Sequence, residues 1–121
     1  MNVRRVNGDT LEVLNGDKVV IALSEKLVDG AMHIAVSGEL KNEVAHEFED
    51  ELMAAFSVCN EVRLDLSEVT YIASIAMRAL LSVQQIVDEN ENAAFVITAL
   101  SDEVWETFEE SGFTDILNIE Q

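Results

Sequence analysis

Apolar and polar residues alternate or cluster in a way that predicts β-strands in the first third of the chain. Residues 10–14 alternate weakly, and residues 18–23 form an apolar run rich in β-branched side chains. Asn15-Gly16 lies between these two runs, an arrangement typical of a β-hairpin. Residues 31–37 follow Asp29-Gly30 and alternate again, so they predict a third strand.

Apolar residues at helical spacing predict three helices in the rest of the chain. The helices are expected over residues 42–57, 74–88 and 101–110. The helix over residues 74–88 is the most apolar, which indicates that neighbouring elements cover it on most sides. Strands are predicted between the helices, over residues 62–66 and 93–100, the first of them followed by a short turn.

The predicted helices begin at residues whose side chains suit an N-cap. Asn42, Ser74 and Ser101 each carry an oxygen that can accept a backbone N–H of the first turn. Gly112 stands just past the third helix, where glycine commonly adopts the left-handed conformation. The sequence therefore predicts side-chain caps at three helix starts and a glycine stop after the last helix.

The order of these elements indicates an α/β fold. Two or three strands come first, followed by helix, strand, helix, strand and helix, an alternation that implies parallel strands joined by right-handed crossovers. The opening strands are expected to be antiparallel and to lie toward one edge. We predict a mixed sheet of four to five strands with three to four helices. Residues 1–18 are interpreted as an N-terminal extension that supplies an edge hairpin strand, and residues 19–121 as the domain.

Length and composition agree with a single domain that buries a core. The chain has 121 residues, of which 49% are hydrophobic. Seven basic residues face 24 acidic ones, giving a formal net charge of -17. Nucleic acid and anionic membrane are poor partners for such a chain, because phosphate contacts need clustered Lys and Arg. The acidic surface either keeps the protein soluble or steers it toward a basic partner, and composition does not decide between the two.

Targeting and redox signals point to the cytoplasm as the expected location. The first nine residues are polar and do not resemble a signal peptide. No apolar run approaches the ~20 residues that a membrane span needs. A single cysteine, Cys59, leaves no internal disulfide to form.

The residues capable of catalysis are scattered, so the sequence does not predict an enzyme, a cofactor or a metal site. His33 and His46 have no Cys or His at metal-ligand spacing, and Cys59 belongs to no motif. The five glycines are isolated, and no phosphate-binding loop is present. Asp65 interrupts an apolar strand and marks either a strand edge or a nearby site, with the edge interpretation favoured.

Ser74 is the position with the most informative local pattern. Its hydroxyl is first of all a candidate N-cap for the helix that it opens. It is also a candidate modification site, because the free N–H groups and dipole of a helix N-terminus favour a phosphate. Arg78 lies one turn further along the same face and is placed to pair with such a phosphate.

A longer segment around Ser74 resembles a known family. Residues 62–81 read VRLDLSEVTYIASIAMRALL, which is similar to the signature of STAS domains and in particular of bacterial anti-sigma-factor antagonists. Asp65-Leu66-Ser67 matches the D-L-S at the end of a strand, and Tyr71-Ile72 matches an aromatic-aliphatic pair. Ser74 falls on the serine that is phosphorylated in the family, and Met77-Arg78 on the Leu-Arg that often follows it.

Two further motifs extend the resemblance over roughly residues 19–120. Ser37-Gly38-Glu39-Leu40 resembles the family's G-E-L after an early strand, and Glu110-Ser111-Gly112-Phe113 resembles its S/T-G-L/F near the end. The resemblance implies the anti-sigma-factor antagonist fold. It also implies a protein-binding module without catalysis of its own.

The resemblance implies a switch that depends on phosphorylation. The unphosphorylated antagonist would bind an anti-sigma factor that is also a serine kinase, and a sigma factor would be released. Phosphorylation of Ser74 would dissociate the complex, and a phosphatase would reset it. The expected partner-binding residues are Ser74, Arg78, Ser82, Tyr71 and Glu39.

Two alternatives remain open at the level of sequence. Ala73, Ile75 and Ala76 stand where the family has a polar residue, a small or hydroxylated residue and a glycine. This difference favours a STAS subunit that binds a partner constitutively in a signalling or transport assembly. The other alternative is a small hydrolase or ligand-binding protein with an acidic site that includes Asp65.

Overall fold

The computed structural model describes residues 2–120, and these form one mixed sheet with three α-helices. The helices are α1 Ala45–Phe56, α2 Ser74–Asp88 and α3 Asp102–Ser111. Short 3-10 helices cover Asn42–Val44 and Phe113–Asp115. The strands are β1 Asn2–Asn7, β2 Thr10–Asn15, β3 Lys18–Val28, β4 Ala31–Leu40, β5 Glu61–Ile72 and β6 Ala94–Leu100.

The six described strands follow their chain order across the sheet. The pairs β1–β2, β2–β3 and β3–β4 are antiparallel, whereas β4–β5 and β5–β6 are parallel. The predicted α/β fold with a mixed sheet is confirmed. The four to five expected strands correspond to β2–β6, and β1 adds one more strand at the edge because it pairs with β2 along its whole length.

The turns between the antiparallel strands follow the predicted chemistry. Asn15 pairs with Lys18, so the hairpin closes through Gly16-Asp17, and Gly16 has a φ of 66°. Asp29 and Gly30 join β3 to β4 with φ values of 51° and 84°. Two consecutive residues with positive φ match the twist of the strands in a tight hairpin. The hairpin predicted at Asn15-Gly16 is therefore confirmed.

The hydrophobic core lies on the face of the sheet that the helices cover. In β5 the burial alternates, with Val62, Leu64 and Leu66 fully buried. Phe48 of α1 and Leu80 of α2 are also fully buried in the same cluster. Residues of the opposite face, such as His33, Ala35 and Ser37 in β4, are exposed.

Gly38 in β4 is required by a close approach of the backbone of β3. Its φ is 106°, and a Cβ atom at this position would overlap the carbonyl oxygen of Val20. Only glycine has both the conformational freedom and the space for this position. The G-E-L motif therefore begins with a residue that allows β3 and β4 to pair tightly.

Strand β5 is longer than the sequence pattern indicated. A short turn was predicted after residue 66, but the strand continues to Ile72. Glu68 pairs with Ser37 of β4, and Ile72 pairs with Leu40. The register between the two strands shifts just before Ser37 and again just after Gly38. The predicted turn is therefore wrong, because pairing with β4 holds this polar segment extended.

The helix caps agree with the sequence at the last helix and differ at the first. Ser101 accepts a hydrogen bond from the Val104 backbone N–H at 3.2 Å, and Gly112 is left-handed with a φ of 78°. Asn42, by contrast, begins a 3-10 helix, and α1 starts only at Ala45 without a side-chain cap. The N-cap predicted at Asn42 is wrong because this extra turn separates it from α1.

The C-terminal segment runs beside β6 and is tied to β5. Ile119 bridges to Ile97, and the Glu120 N–H donates to the Ile97 carbonyl at 2.8 Å. The Arg63 guanidinium donates to both carboxylate oxygens of Glu120 at 2.9 and 2.8 Å. Hydrogen bonds to Glu120 and Glu61 raise the pKa of Arg63 above its ordinary value.

Candidate functional site

The start of α2 lies at the carboxyl ends of β4 and β5. Ala73 follows the last residue of β5, and its backbone N–H donates to the carbonyl of Leu40 at 2.8 Å. Leu40 is the last residue of β4 and is fully buried. In open α/β sheets, binding crevices lie outside the carboxyl ends of the strands. Ser74 is therefore held at the end of the sheet where a binding site is expected.

Ser74 does not cap α2, which corrects the prediction from sequence. Ala73 occupies the cap position, with φ -79° and ψ 158°, and no side chain accepts a backbone N–H of the first turn. Ser74 is instead the first helical residue and is exposed. The hydrogen bond from Ala73 to Leu40 fixes Ala73 in an extended conformation at the cap position, so the helix begins one residue earlier than it would with a cap at Ser74.

The N-terminus of α2 is suited to a negative charge. Intrahelical bonding begins with the Met77 N–H, which donates to the Ala73 carbonyl at 3.0 Å. The preceding N–H groups, from Ser74 to Ala76, have no carbonyl of their own helix to bond. These donors and the helix dipole would stabilise an anion attached to the Ser74 hydroxyl.

A hollow of about 230 Å³ lies between the start of α2 and the end of α3. Ser74, Met77 and Arg78 line it from α2, and Ser111 and Phe113 from the opposite side. Met77 is buried, and the Phe113 ring lies 5.9 Å from the buried Phe108 ring, measured between centroids. This hollow, which we name the α2–α3 hollow, combines an apolar floor with a hydroxyl and a guanidinium at its rim.

A second hollow adjoins the end of β5, and all of its lining residues precede Ser74 in the sequence. Tyr71 is 51% exposed and pairs in register with Glu39 of β4. Both residues line a hollow of about 490 Å³ together with Lys41, Asn42 and Glu43. A carboxylate oxygen of Glu39 lies 3.9 Å from the Lys41 ammonium. This surface offers an exposed aromatic ring beside a mixture of charges.

The structure brings the predicted site residues together in two pairs and leaves one apart. Ser74 and Arg78 share the α2–α3 hollow, and Tyr71 and Glu39 share the second hollow. Ser82 is half-buried and lies on α2 two turns beyond Ser74, about 12 Å along the helix axis. It lines neither of these two hollows.

The sequence-based site omitted six residues that line the two hollows, among them Asn42 and Glu43 next to Lys41. Met77 and Lys41 adjoin predicted site residues, whereas Ser111 and Phe113 come from the far end of the chain. The signal for the last two was the Glu110-Ser111-Gly112-Phe113 motif. Its role in the site was hidden because only the folded chain brings the end of α3 close to the start of α2.

In the acidic-site alternative, Asp65 and its neighbour Arg63 already have hydrogen-bond partners within the protein. Asp65 lies in β5, between β4 and β6, so the strand-edge interpretation is wrong. It lines a hollow of about 300 Å³ on the uncovered sheet face with Lys26, His33 and Arg63. Its carboxylate accepts the Ser67 backbone N–H at 2.8 Å, and Arg63 is bound to two glutamates. These contacts leave the charges of Asp65 and Arg63 already engaged.

Residues 2–120 contain neither a candidate metal site nor a helix suited to span a membrane. No group of three His, Cys, Asp or Glu side chains in this part of the chain is placed to hold a metal ion. None of the three described α-helices has the length and apolar character that crossing a membrane requires.

Sequence comparison identifies the family. A family model described as "Mlab, STAS domain" matches residues 23–118, which is most of the chain. The chain therefore belongs to the STAS domain family, as the motifs around Ser74 predicted. Comparison with curated protein sequences finds no match.

Solved structures similar to this chain include anti-sigma factor antagonists. One from Mycobacterium paratuberculosis aligns with a TM-score of 0.74 at 19% identity, covering 83% of this chain and 85% of that one. A putative one from Thermotoga maritima gives 0.73 at 20% identity, covering 82% and 86%. Unphosphorylated SpoIIAA, a Bacillus protein, gives 0.67 at 14% identity, covering 82% and 88%. At these identities the likeness establishes the fold, which is that of the anti-sigma-factor antagonists.

Proposed function

We propose that this chain is an anti-sigma-factor antagonist whose binding to an anti-sigma factor is controlled by phosphorylation of Ser74. The unphosphorylated protein binds an anti-sigma factor that is also a serine kinase, and this binding frees a sigma factor. The protein itself performs no catalysis, and it works in the cytoplasm. A phosphatase restores the unmodified form.

One observation carries the proposal: the Ser74 hydroxyl is exposed at the N-terminus of α2 and is not used as a cap. A kinase can reach this oxygen without unfolding any part of the core. The Ser74 Oγ would attack the γ-phosphorus of ATP, forming the Oγ–P bond as the bond to the β–γ bridging oxygen breaks. ADP leaves, and the hydroxyl proton is lost to a base of the kinase.

Electrostatics explains how one phosphate would dissociate the complex. The phosphate brings about -1.5 to -2 charges to a surface patch without disturbing the core. The helix N-terminus tolerates this charge in the free protein. In the complex the phosphate would be desolvated against an acidic or ATP-loaded pocket, which is costly. A loss of ~3 kcal/mol would weaken binding about a hundredfold.

Comparison with known proteins adds support at the level of fold and family. The family model covers the segment that includes Ser74, and SpoIIAA, which shares the fold, has been solved in both unphosphorylated and phosphorylated forms. Modification of SpoIIAA is thus compatible with this type of fold.

The direct test is phosphorylation by an anti-sigma factor serine kinase from the same organism. Incubation with that kinase and ATP should add one phosphate to the wild-type protein, measured by intact mass, and none to Ser74→Ala. A matched control is Ser82→Ala, which removes a hydroxyl from the same helix and should still be labelled. If the kinase modifies another substrate but leaves this protein unlabelled, the phosphorylation switch is rejected.

The constitutive STAS subunit is the second candidate, and the surroundings of Ser74 favour it. Ile75 is 46% exposed and presents a bulky apolar side chain directly beside Ser74. Such a side chain suits a permanent contact with a partner in a signalling or transport assembly. Ser74→Ala and Ser74→Asp would then bind the partner equally well, whereas a loss confined to Ser74→Asp supports the switch.

A further inference from the structure

The α2–α3 hollow has the size and lining of a seat for one apolar side chain. Its volume is about 230 Å³, and buried Met77 and half-buried Phe113 contribute apolar surface to it. A cavity of about 150 Å³ is large enough to hold benzene, so this hollow has room for a leucine or phenylalanine side chain. Ser74 and Arg78 stand at its rim and would adjoin whatever occupies it.

Exposed acidic residues that adjoin the lining residues in the sequence indicate which charges should flank that side chain in a partner. Glu109 and Glu110 precede the lining residue Ser111, Asp115 follows Phe113, and all three carboxylates are exposed. The whole chain carries a net charge of -17. A segment with Lys or Arg on both sides of its apolar residue would be attracted to this surface.

Arg78 is placed to close the same hollow. It is exposed, lies one turn from Ser74 on the same face of α2, and takes part in no ion pair within the described residues. A guanidinium binds phosphate through paired hydrogen bonds. If Ser74 carried a phosphate, Arg78 would turn toward it and extend across the rim that both residues share.

We propose that the α2–α3 hollow receives a leucine-sized side chain from a basic segment of the protein partner, and that Arg78 closes the hollow when Ser74 is phosphorylated. The inference rests on the proposed function, since it assigns a partner contact and a regulatory role to the same site. It differs in mechanism, because the anchor seat closes, whereas the charge repulsion of the proposed function acts between the phosphate and an acidic or ATP-loaded pocket of the partner and not between the phosphate and the basic segment.

Two synthetic peptides test the seat without the natural partner. Acetyl-Arg-Lys-Leu-Arg-Lys-amide and its Leu→Gly counterpart carry the same charge, so the ratio of their affinities isolates the apolar side chain. The Leu peptide should bind about fivefold or more tightly and should shift the Met77 methyl signal in NMR titrations of the full chain. Equal affinities would overturn the seat.

A matched pair of variants locates the binding. Ser111 and Thr107 are both α3 residues whose hydroxyls donate to the carbonyl four residues earlier, at 2.8 and 3.0 Å. Only Ser111 lines the α2–α3 hollow. Ser111→Leu should fill the hollow and lower the ratio of Leu-peptide to Gly-peptide affinity to about one. Thr107→Leu should keep the wild-type ratio. The same loss in both variants would place the contact elsewhere and overturn the assignment.

Phosphoserine introduced at position 74 by genetic encoding tests the role of Arg78 independently of any kinase. The ratio of the Leu-peptide affinity to the Gly-peptide affinity should fall to about one in the phosphorylated protein. It should return to about five in phosphorylated Arg78→Gln. If phosphorylated Arg78→Gln behaves like the phosphorylated wild type, closure by Arg78 is wrong. The proposed function is tested separately from the seat. It is wrong if the kinase does not label Ser74, or if phosphorylation of Ser74 leaves the affinity for the partner unchanged.

Discussion

The backbone N–H of Ala73 and the carbonyl of Leu40 form a 2.8 Å hydrogen bond that joins the start of α2 to the end of β4. Both residues are buried, at 5% and 0% exposure. This bond fixes where α2 begins, leaves Ser74 at the surface as the first helical residue, and gives the cap position to an alanine. The location of the candidate site therefore depends on the core, whereas its exposed hydroxyl has no part in holding the fold together.

Replacement of Ser74 by alanine should hardly change stability. Its hydroxyl caps nothing, so we expect the free energy of unfolding of Ser74→Ala to stay within ~0.5 kcal/mol of the wild type. Ser101→Ala is the contrasting variant, because Ser101 accepts from the Val104 N–H and donates to the Val69 carbonyl. It should lose about 1 to 2 kcal/mol in urea denaturation. Equal losses in the two variants would show that Ser74 does act as a cap.

Gly38 should tolerate no side chain at all. In Gly38→Ala the new Cβ would overlap the Val20 carbonyl oxygen, at a φ of 106° that L-residues rarely adopt. We expect a loss of at least ~3 kcal/mol, measured by thermal or urea unfolding.

Gly112→Ala is the matched control for Gly38→Ala. Gly112 also has a positive φ, 78°, but a Cβ there would meet nothing within 4 Å. Gly112→Ala should therefore lose only about 1 to 2 kcal/mol of unfolding free energy, which is the cost of holding alanine at a positive φ. A Gly38→Ala protein as stable as Gly112→Ala would mean that β3 moves away from β4 at little cost.

Much of the fold followed from local patterns, and the differences arose where tertiary contacts decide. The helix predicted over residues 74–88 has those bounds in the structure, because its apolar arc and flanking breaks are local signals. Strand β1 was not predicted as a separate strand, since its sequence NVRRVN lacks clear alternation. It forms by pairing with β2, which no local pattern of β1 reveals.

The candidate site also contains residues that the sequence pattern identified and residues that only the folded structure reveals. Ser74, Arg78 and Tyr71 were found because they are neighbours in the sequence and belong to one motif. Ser111 and Phe113 line the same hollow as Ser74, yet they are more than thirty positions away in the sequence. Predicting their contribution requires knowing that α3 ends beside the start of α2, which only the packed structure supplies.

The ion pair between Arg63 and Glu120 should hold the C-terminal segment against β6. In Glu120→Gln we expect faster hydrogen exchange at the Glu120 amide, which donates to the Ile97 carbonyl, with no measurable change in the urea midpoint. Glu109→Gln, an exposed change on α3, is the control and should leave this exchange unaltered. An unchanged exchange rate in Glu120→Gln would assign the attachment to the backbone bonds alone.

The contribution of Arg63 to this attachment has a defined pH dependence. Its folded-state pKa is raised by hydrogen bonds to Glu120 and Glu61, so its stabilisation is present below the unfolded pKa and is lost as the pH rises through the raised folded pKa. The ordinary arginine pKa already lies far above neutral pH. From about pH 6 to about pH 10 the protection of the Glu120 amide, corrected for intrinsic exchange, should therefore stay constant. A decline within that range would point to a group other than Arg63.

Exposed apolar side chains beside Ser74 should contribute to partner binding without contributing to stability. Tyr71 and Ile75 are 51% and 46% exposed, and large aromatic or aliphatic residues with this exposure often anchor interfaces. If the chain functions as proposed, we expect Tyr71→Ala to weaken binding to the proposed anti-sigma factor partner about tenfold or more, and Ile75→Ala by a smaller factor, measured by calorimetric titration. Ile86 is 53% exposed on the same helix, three turns further from the N-terminus, and Ile86→Ala should bind like the wild type. If Ile86→Ala is the variant that loses affinity, the partner docks on the far end of α2, and Ser74 no longer lies where a phosphate can control the complex.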